Sequence, residues 1–215
     1  MLELSGCLVT IDAMGCQTEI AAQIEDQGAD YVLAVKRNQP TLHEGIQAFF
    51  NDHFADDFTR VKVGRHETKE RGHGREEHRF YAVCDIPEDL PDASRWKHLK
   101  RIGVALSETV RDGRVVTDRR YYILSRKLTA KQFAEAVRGH WSIENRLHWQ
   151  LDVTFGEDQC RTRQGHADTN CSLLRRTALS LLKNEKTARL GVKNKRLKAG
   201  WNDDYLEKVL FGTTL

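Results

Sequence analysis

Between Cys7 and Val35 the chain runs through a short apolar stretch, a helical stretch and a second apolar stretch, and this order restricts the fold more than any other feature. Cys7 to Ile11 reads as a strand ending at Asp12, and Gly15 follows in a turn. Thr18 to Gln27 reads as a helix with Ile20, Ala21 and Ile24 inward, stopped by Gly28, and Tyr31 to Val35 reads as the second strand. Two strands joined by a crossover helix of this length run parallel. Ligand sites in such sheets lie beyond the carboxyl ends of the strands, where Asp12 and Lys36 both fall. An aspartate at a strand end serves equally well as a helix cap, so position alone leaves both readings of Asp12 open.

Pro40 and Thr41 open a further helix, Thr41 to Phe50, and from about Thr59 to Arg126 the pattern becomes β-rich. Arg60 to Val63, Glu77 to Cys84, Leu99 to Glu108 and Val115 to Leu124 read as strands, with Asp112-Gly113 as a hairpin signal. Arg71 to Arg75 reads as a charged, glycine-containing loop. His66, His73 and His78 match no metal-ligand spacing and read as solvated side chains.

The next helix opens with a capping box, Thr129 followed three residues later by Gln132. Phe133, Val137, Trp141, Leu147, His148 and Leu151 recur at helical spacing as one largely apolar stripe, and Glu144 falls on it. A carboxylate on an apolar stripe must be paired with a cation, bind a metal or stay protonated. Spacing leaves open a salt bridge to Arg138 or Arg146 and a metal-ligand role. Ala167 to Lys183 reads as a helix with Leu173, Leu174, Ala178, Leu181 and Leu182 apolar. A basic linker follows, and then a short helix, Asp203 to Leu210, docked by Trp201, Leu206, Val209, Leu210 and Phe211.

With 215 residues, 40% hydrophobic and 30% charged, the chain has the composition of a soluble globular protein with a real core. It shows no membrane-length apolar run and no signal peptide. Its five scattered cysteines form no CxxC pair, which argues against a zinc site or disulfide framework and fits a reducing cytoplasm. Net charge is only +3, but basic residues crowd the C-terminal third, from Arg161 to Lys198. Such a cluster suits a phosphate backbone or a merely solvated face.

Four stretches together resemble one family: VTIDAMGCQ (Val9 to Gln17), ADYVLAVKRNQP (Ala29 to Pro40), HWSIENRLHWQLDVTFGEDQCR (His140 to Arg161) and DDYLEKVLFG (Asp203 to Gly212). They are similar to the H-repeat-associated group of bacterial insertion-sequence DDE transposases, and the likeness covers nearly the whole chain. The resemblance implies an α/β fold: a partial RNase H-like core, its last two parallel strands plus helices, with a β-rich insertion before the helix carrying Glu144. The corresponding division is 1–58 for the strand-helix-strand part, 59–127 for the insertion and 128–215 for the helical part with its basic tail.

The resemblance further implies that Asp12 and Glu144 are catalytic carboxylates and magnesium ligands. In such sites two ions about 3.5–4 Å apart clamp the attacking and leaving oxygens of an in-line phosphoryl displacement. Lys36, Arg37, Arg146, Arg161 and Arg163 are the candidate phosphate contacts, the partner being double-stranded DNA at element ends and target. Relatives surround the glutamate with a tyrosine, an arginine and a lysine; here Val137, His140 and Leu151 stand at those positions, of which His140 retains the capacity to donate to a phosphate. The family's first aspartate has no counterpart in this sequence, so the expectation is a transposase fragment, catalytically incomplete alone. Asp30, Asp152, Glu157 and Asp158 are substitutes for the third ligand that spacing does not rank. A non-catalytic DNA-binding or regulatory remnant is the alternative. The resemblance also puts a missing core strand beside Cys7 to Ile11, leaving an apolar edge that invites pairing. Self-association or poor solubility is therefore expected; a monodisperse monomer in size-exclusion chromatography with a cooperative melt contradicts it.

Overall fold

Tyr31, Val32, Leu33, Ala34 and Val35 form an unbroken apolar run, and all five are buried. They belong to β2 (Asp30–Val35), which pairs in parallel with β1 (Leu8–Ile11) and antiparallel with β6 (Arg114–Leu124). A strand with neighbours on both sides and packing on both faces has no solvated position for a polar side chain. In the computed structural model, residues 3–72, 75–111, 114–143 and 147–212 are described. The β-rich stretch supplies β3 (Val63–Gly72), β4 (Arg75–Asp85) and β5 (Arg101–Arg111), and the six strands form one mixed sheet in the order β1-β2-β6-β5-β4-β3. β6 joins it to β2, so its strands continue the sheet of the strand-helix-strand unit.

Strand alternation assigns the two faces. Tyr31, Leu33 and Val35 share one face with Cys84, Ile102, Val104, Tyr121 and Ile123, in one core with Ala21 and Ile24 of α1 (Thr18–Asp26) and Leu42, Ile46 and Phe50 of α2 (Pro40–Ala55). The opposite face meets α3 (Ala130–Ile143): the Phe133 ring stands edge-on to Tyr81 and Tyr122 at 6.1 and 5.3 Å. It also lies over Gly103, where a Cβ would come within 2.7 Å of the ring, so glycine there sets how closely α3 approaches. The capping box forms as expected, Gln132 N–H donating to Thr129 Oγ1 at 3.3 Å and Thr129 N–H to Gln132 Oε1 at 2.9 Å. Arg138, further along α3, donates to Glu70 of β3, and Arg79 reaches the same carboxylate at 3.0 Å. These two guanidinium contacts hold the Glu70 carboxyl down at about 2.

Several sequence expectations need correction. The expected strand Arg60 to Val63 ends where the real one begins, and the expected loop from Arg71 is strand up to Gly72; His73 and Gly74 lie outside the described residues, as does Asp112-Gly113. β3 was hidden because its exposed, charged residues replace the apolar alternation with cross-strand ion pairs, such as Arg79 with Glu70 and His78 with Glu67 at 3.1 Å. The single stripe from Phe133 to Leu151 is divided between α3 and α4 (Trp149–Phe155), with Phe133, Val137 and Leu151 buried but His148 exposed. Arg138 has Glu70 as its partner.

The chain divides into two compact units, Met1–His140 and Trp141–Leu215. In the second, α5 (Ala167–Asn184) buries Leu179 and Leu182, whereas Leu173 and Leu174 are exposed. The expected basic linker is in large part a helix, α6 (Val192–Trp201), followed by α7 (Asp203–Phe211), whose buried residues are Tyr205 and Val209; Trp201, Leu206, Leu210 and Phe211 remain exposed. Leu182, Ala199, Tyr205 and Val209 form the apolar core, and beside it sits a buried polar knot. The Glu185 carboxylate takes the Tyr205 hydroxyl at 2.7 Å and pairs with Lys195 Nζ at 3.3 Å, while Lys195 also donates to the Leu182 carbonyl at 3.2 Å. The pair is almost fully enclosed, 2% exposed at Glu185 and 8% at Lys195. No helix among the described residues is long and apolar enough to cross a membrane.

Burial pushes the Glu185 carboxyl up, but Thr187, Tyr205 and Lys195 outweigh it and bring it down to about 2. Its contribution to stability is therefore complete above the unfolded carboxyl value of 4.5 and fades as pH falls toward about 2. Glu185→Gln, which leaves a buried ammonium without its counter-charge, should cost about 3 kcal/mol at pH 7. Thermal melts should show the gap from wild type closing as the pH is lowered toward 2; a gap independent of pH contradicts the charge pairing.

Candidate functional site

β1 and β2 run parallel, so their carboxyl ends emerge side by side, with Ile11 opposite Leu33. Asp12 continues the extended backbone one residue past β1, at φ −69° and ψ 168°. Alternation therefore sends its side chain to the same side as Thr10, the face crossed by α3. Lys36 stands one residue past β2 and reaches Asp12, Nζ to Oδ1 3.5 Å, with both side chains about half exposed, at 54% and 49%. From α3, His140 brings its Nδ1 to 3.2 Å from the Thr10 hydroxyl. A carboxylate, an ammonium, an imidazole and a hydroxyl thus converge on one mouth of the sheet.

The electrostatics keep Asp12 ionised. Partial burial pushes its carboxyl up; the Ala13 amide, the Lys36 ammonium and the His140 imidazole more than offset this, and the net position is below the usual carboxylate value. Asp12 makes no side-chain cap to the short 3-10 turn that follows, Ala13–Gly15, which removes the helix-cap reading. The turn is held from outside. Asn38 Nδ2 donates to the Ala13 carbonyl at 2.6 Å and to the Cys16 carbonyl at 3.3 Å, and Gln39 Nε2 donates to the Cys16 carbonyl at 3.0 Å.

The remaining sequence candidates distribute as follows. Arg37 is exposed in the turn after β2. Glu144 and Arg146 lie outside the described residues. Arg161 and Arg163 are exposed between α4 and α5 in the second unit, Arg163 donating to the Cys160 and Thr162 carbonyls at 3.1 and 3.2 Å. Arg163 also borders a cleft with Arg175, Arg176 and Ser172. Of the substitute acids, Asp30 sits opposite Leu8, at the amino end of β2 and so at the far end of the strand pair from Asp12; it accepts from Ser125 at 3.2 Å and faces Arg126 at 3.8 Å. Asp152 belongs to the second unit with Glu157 and Asp158; burial, with the Asp158 and Glu157 charges, raises its carboxyl. Glu157 accepts from Ser172 at 2.9 Å.

A half-exposed, ionised oxygen ligand suits a hard divalent cation. Among the described residues, no group of three or more His, Cys, Asp and Glu side chains is arranged to hold one. Sequence reasoning missed Thr10, Asn38 and Gln39. Thr10 carried a usable signal, two residues before Asp12 on the same face of an edge strand. Asn38 and Gln39 carried a weaker one: two amide side chains just before the Pro40 that opens α2.

A family model described as Transposase DDE domain matches residues 1–181. The whole chain is 40% identical to "Putative protein YbfL" and, equally, to "H repeat-associated putative transposase YhhI", both of Escherichia coli strain K12, in each case over 57% of the relative's length. It is 42% identical, over 98% of its length, to "Putative transposase YncI" of Escherichia coli O157:H7, covering 54% of that protein. The chain therefore spans a little over half the length of these curated relatives.

Removing the Lys36 ammonium takes away one of the groups that offset burial at Asp12. Lys36→Met is expected to move the Asp12 titration midpoint upward in a carboxyl-carbon NMR titration, leaving Asp12 ionised at neutral pH but protonating earlier on acidification. An unmoved midpoint would show that Lys36 contributes no field there.

Proposed function

The chain belongs to the DDE transposase family, whose domain is RNase H-like, and on that premise we propose that it takes part in cutting and joining DNA by metal-assisted phosphoryl transfer. Asp12 and Glu144 are the proposed carboxylate ligands for magnesium. When bound, the ions supply Lewis-acid activation of the attacking and leaving oxygens. The protein's own groups do the rest. Asp12 presents an ionised oxygen at the mouth of the strand pair. Lys36, Arg37 and His140 offer donors to a phosphate oxygen beside it, and Arg146, Arg161 and Arg163 hold the backbone of double-stranded DNA, element end or target. The observation that carries this reading is the position of Asp12, ionised and half exposed between Lys36 and His140 at the carboxyl end of a parallel strand pair.

A two-ion site of this class draws on three carboxylates, of which Asp12 and Glu144 are the proposed two. We propose further that this chain binds DNA but does not complete the reaction alone. Among the described residues β1 lies at one end of the strand order, and we propose self-association through that edge.

Duplex binding and plasmid nicking in magnesium test these points together. Binding should weaken steeply with salt, and the double variant Lys36→Ala/Arg37→Ala should reduce the slope of log affinity against log salt by about 2. Nicking should stay at background. Robust nicking abolished by Asp12→Ala would show that the carboxylate set is complete. Salt-sensitive binding that Asp12→Ala and Glu144→Gln leave intact, with divalent ions binding nowhere near Asp12, would favour a non-catalytic DNA-binding protein.

A further inference from the structure

The loop that follows β2 does more than carry Lys36 and Arg37. Its next two residues, Asn38 and Gln39, spend their side-chain amides on the backbone of a different segment more than 20 residues away in sequence, the turn directly after Asp12. Their acceptors bracket that turn: the Ala13 carbonyl at its start and the Cys16 carbonyl at its end. Neither contact is a local cap. Gln39 precedes the helix opened by Pro40 yet makes no side-chain cap to it, and Asp12 makes none to its own turn. The turn is further pressed onto β1, because a Cβ at Gly15 would come within 2.4 Å of the Ile11 side chain. Backbone bonds within the turn run from Gly15 N–H to the Asp12 carbonyl at 2.9 Å and from Cys16 N–H to the Ala13 carbonyl at 3.0 Å.

We propose that Asn38 and Gln39 are positioning residues that fix the direction of the Asp12 carboxylate by clamping the two carbonyls of the turn behind it. This rests on the reading of Asp12 as a metal ligand. The physical reason is geometric. An aspartate past the end of an edge strand, with no side-chain cap to the turn behind it, takes its orientation from that turn. The turn's own backbone bonds are local and do not tie it to β2. Two amide donors from the neighbouring strand's loop supply that tie and link the carboxylate's position to that of Lys36 in one stroke. Partners hydrogen-bonded directly to a metal ligand typically govern affinity by about 10–100-fold, and a clamp on the adjoining turn is expected at the lower end of that range.

The test uses the full chain with Asn38→Leu and Gln39→Met, which keep side-chain bulk and remove the donors, beside Asp12→Ala. Three readouts are taken: Mn2+ affinity by electron paramagnetic resonance, melting temperature, and amide hydrogen exchange at Gly15 and Cys16 without metal. The expected result is loss of Mn2+ binding in Asp12→Ala and about tenfold weaker binding in each amide variant. The amide variants should also exchange faster at Gly15 and Cys16, with melting within about 4 °C of wild type. Binding lost in Asp12→Ala but unchanged in both amide variants overturns the clamp and leaves the reading of Asp12 standing. Binding absent from wild type, or unaffected by Asp12→Ala, overturns that reading and the positioning role with it. Should Asn38→Leu fail to fold, Gln39→Met carries the same comparison.

Discussion

The parallel pairing of β1 with β2 is the contact on which the arrangement depends. It is short, four residue pairs from Leu8 with Asp30 to Ile11 with Leu33, yet it brings two strand ends together at one mouth. β2 can hold that position because Tyr31 to Val35 are all buried, with Tyr31, Leu33 and Val35 in one core with α1 and α2. Shift the register by one residue and Asp12 and Lys36 would point to opposite faces. The ion pair between them is half exposed and contributes little to stability. Its interest is electrostatic: it helps hold the Asp12 carboxyl below the usual carboxylate value.

Around this mouth the sheet supplies stiffness. β6 couples β2 to β5, and the long antiparallel strands behind it are pinned to α3 through Phe133, whose ring occupies the space left by Gly103. The Arg138–Glu70 contact fixes the same helix to β3. His140 is thereby delivered to Thr10 by a helix anchored at its capped start and along its length. The second unit has its own logic, a buried glutamate and lysine tying α5 and α6 to Tyr205 of α7, with its exposed arginines near the start of α5.

How much of this was legible depends on what each element uses to fold. β1 and β2 announce themselves because burial leaves only apolar residues, and Asp12 and Lys36 stand out by contrast at their ends. β3 and β4 were obscured where charge pairs replace apolar alternation. α6 was unreadable because one of its two buried side chains is Lys195, whose partner Glu185 lies ten residues earlier in the chain; no periodicity reports such a pair. Leu173 and Leu174 misled in the other direction, since the inner face of α5 rests on Leu179 and Leu182. At the site, ionisable residues were found and their supports were not. Asn38 and Gln39 act on backbone carbonyls, which are the same in every sequence, so only the folded chain reveals them.

Held ionised at the mouth of the strand pair, the Asp12 carboxylate is proposed to take a divalent cation. Crystals of the chain soaked in Mn2+ near neutral pH and measured at the manganese absorption edge address this directly. An anomalous peak is expected within about 2.2 Å of an Asp12 oxygen, with Lys36 drawn away from the carboxylate. A map with manganese elsewhere, and Asp12 still paired to Lys36, would contradict that proposal.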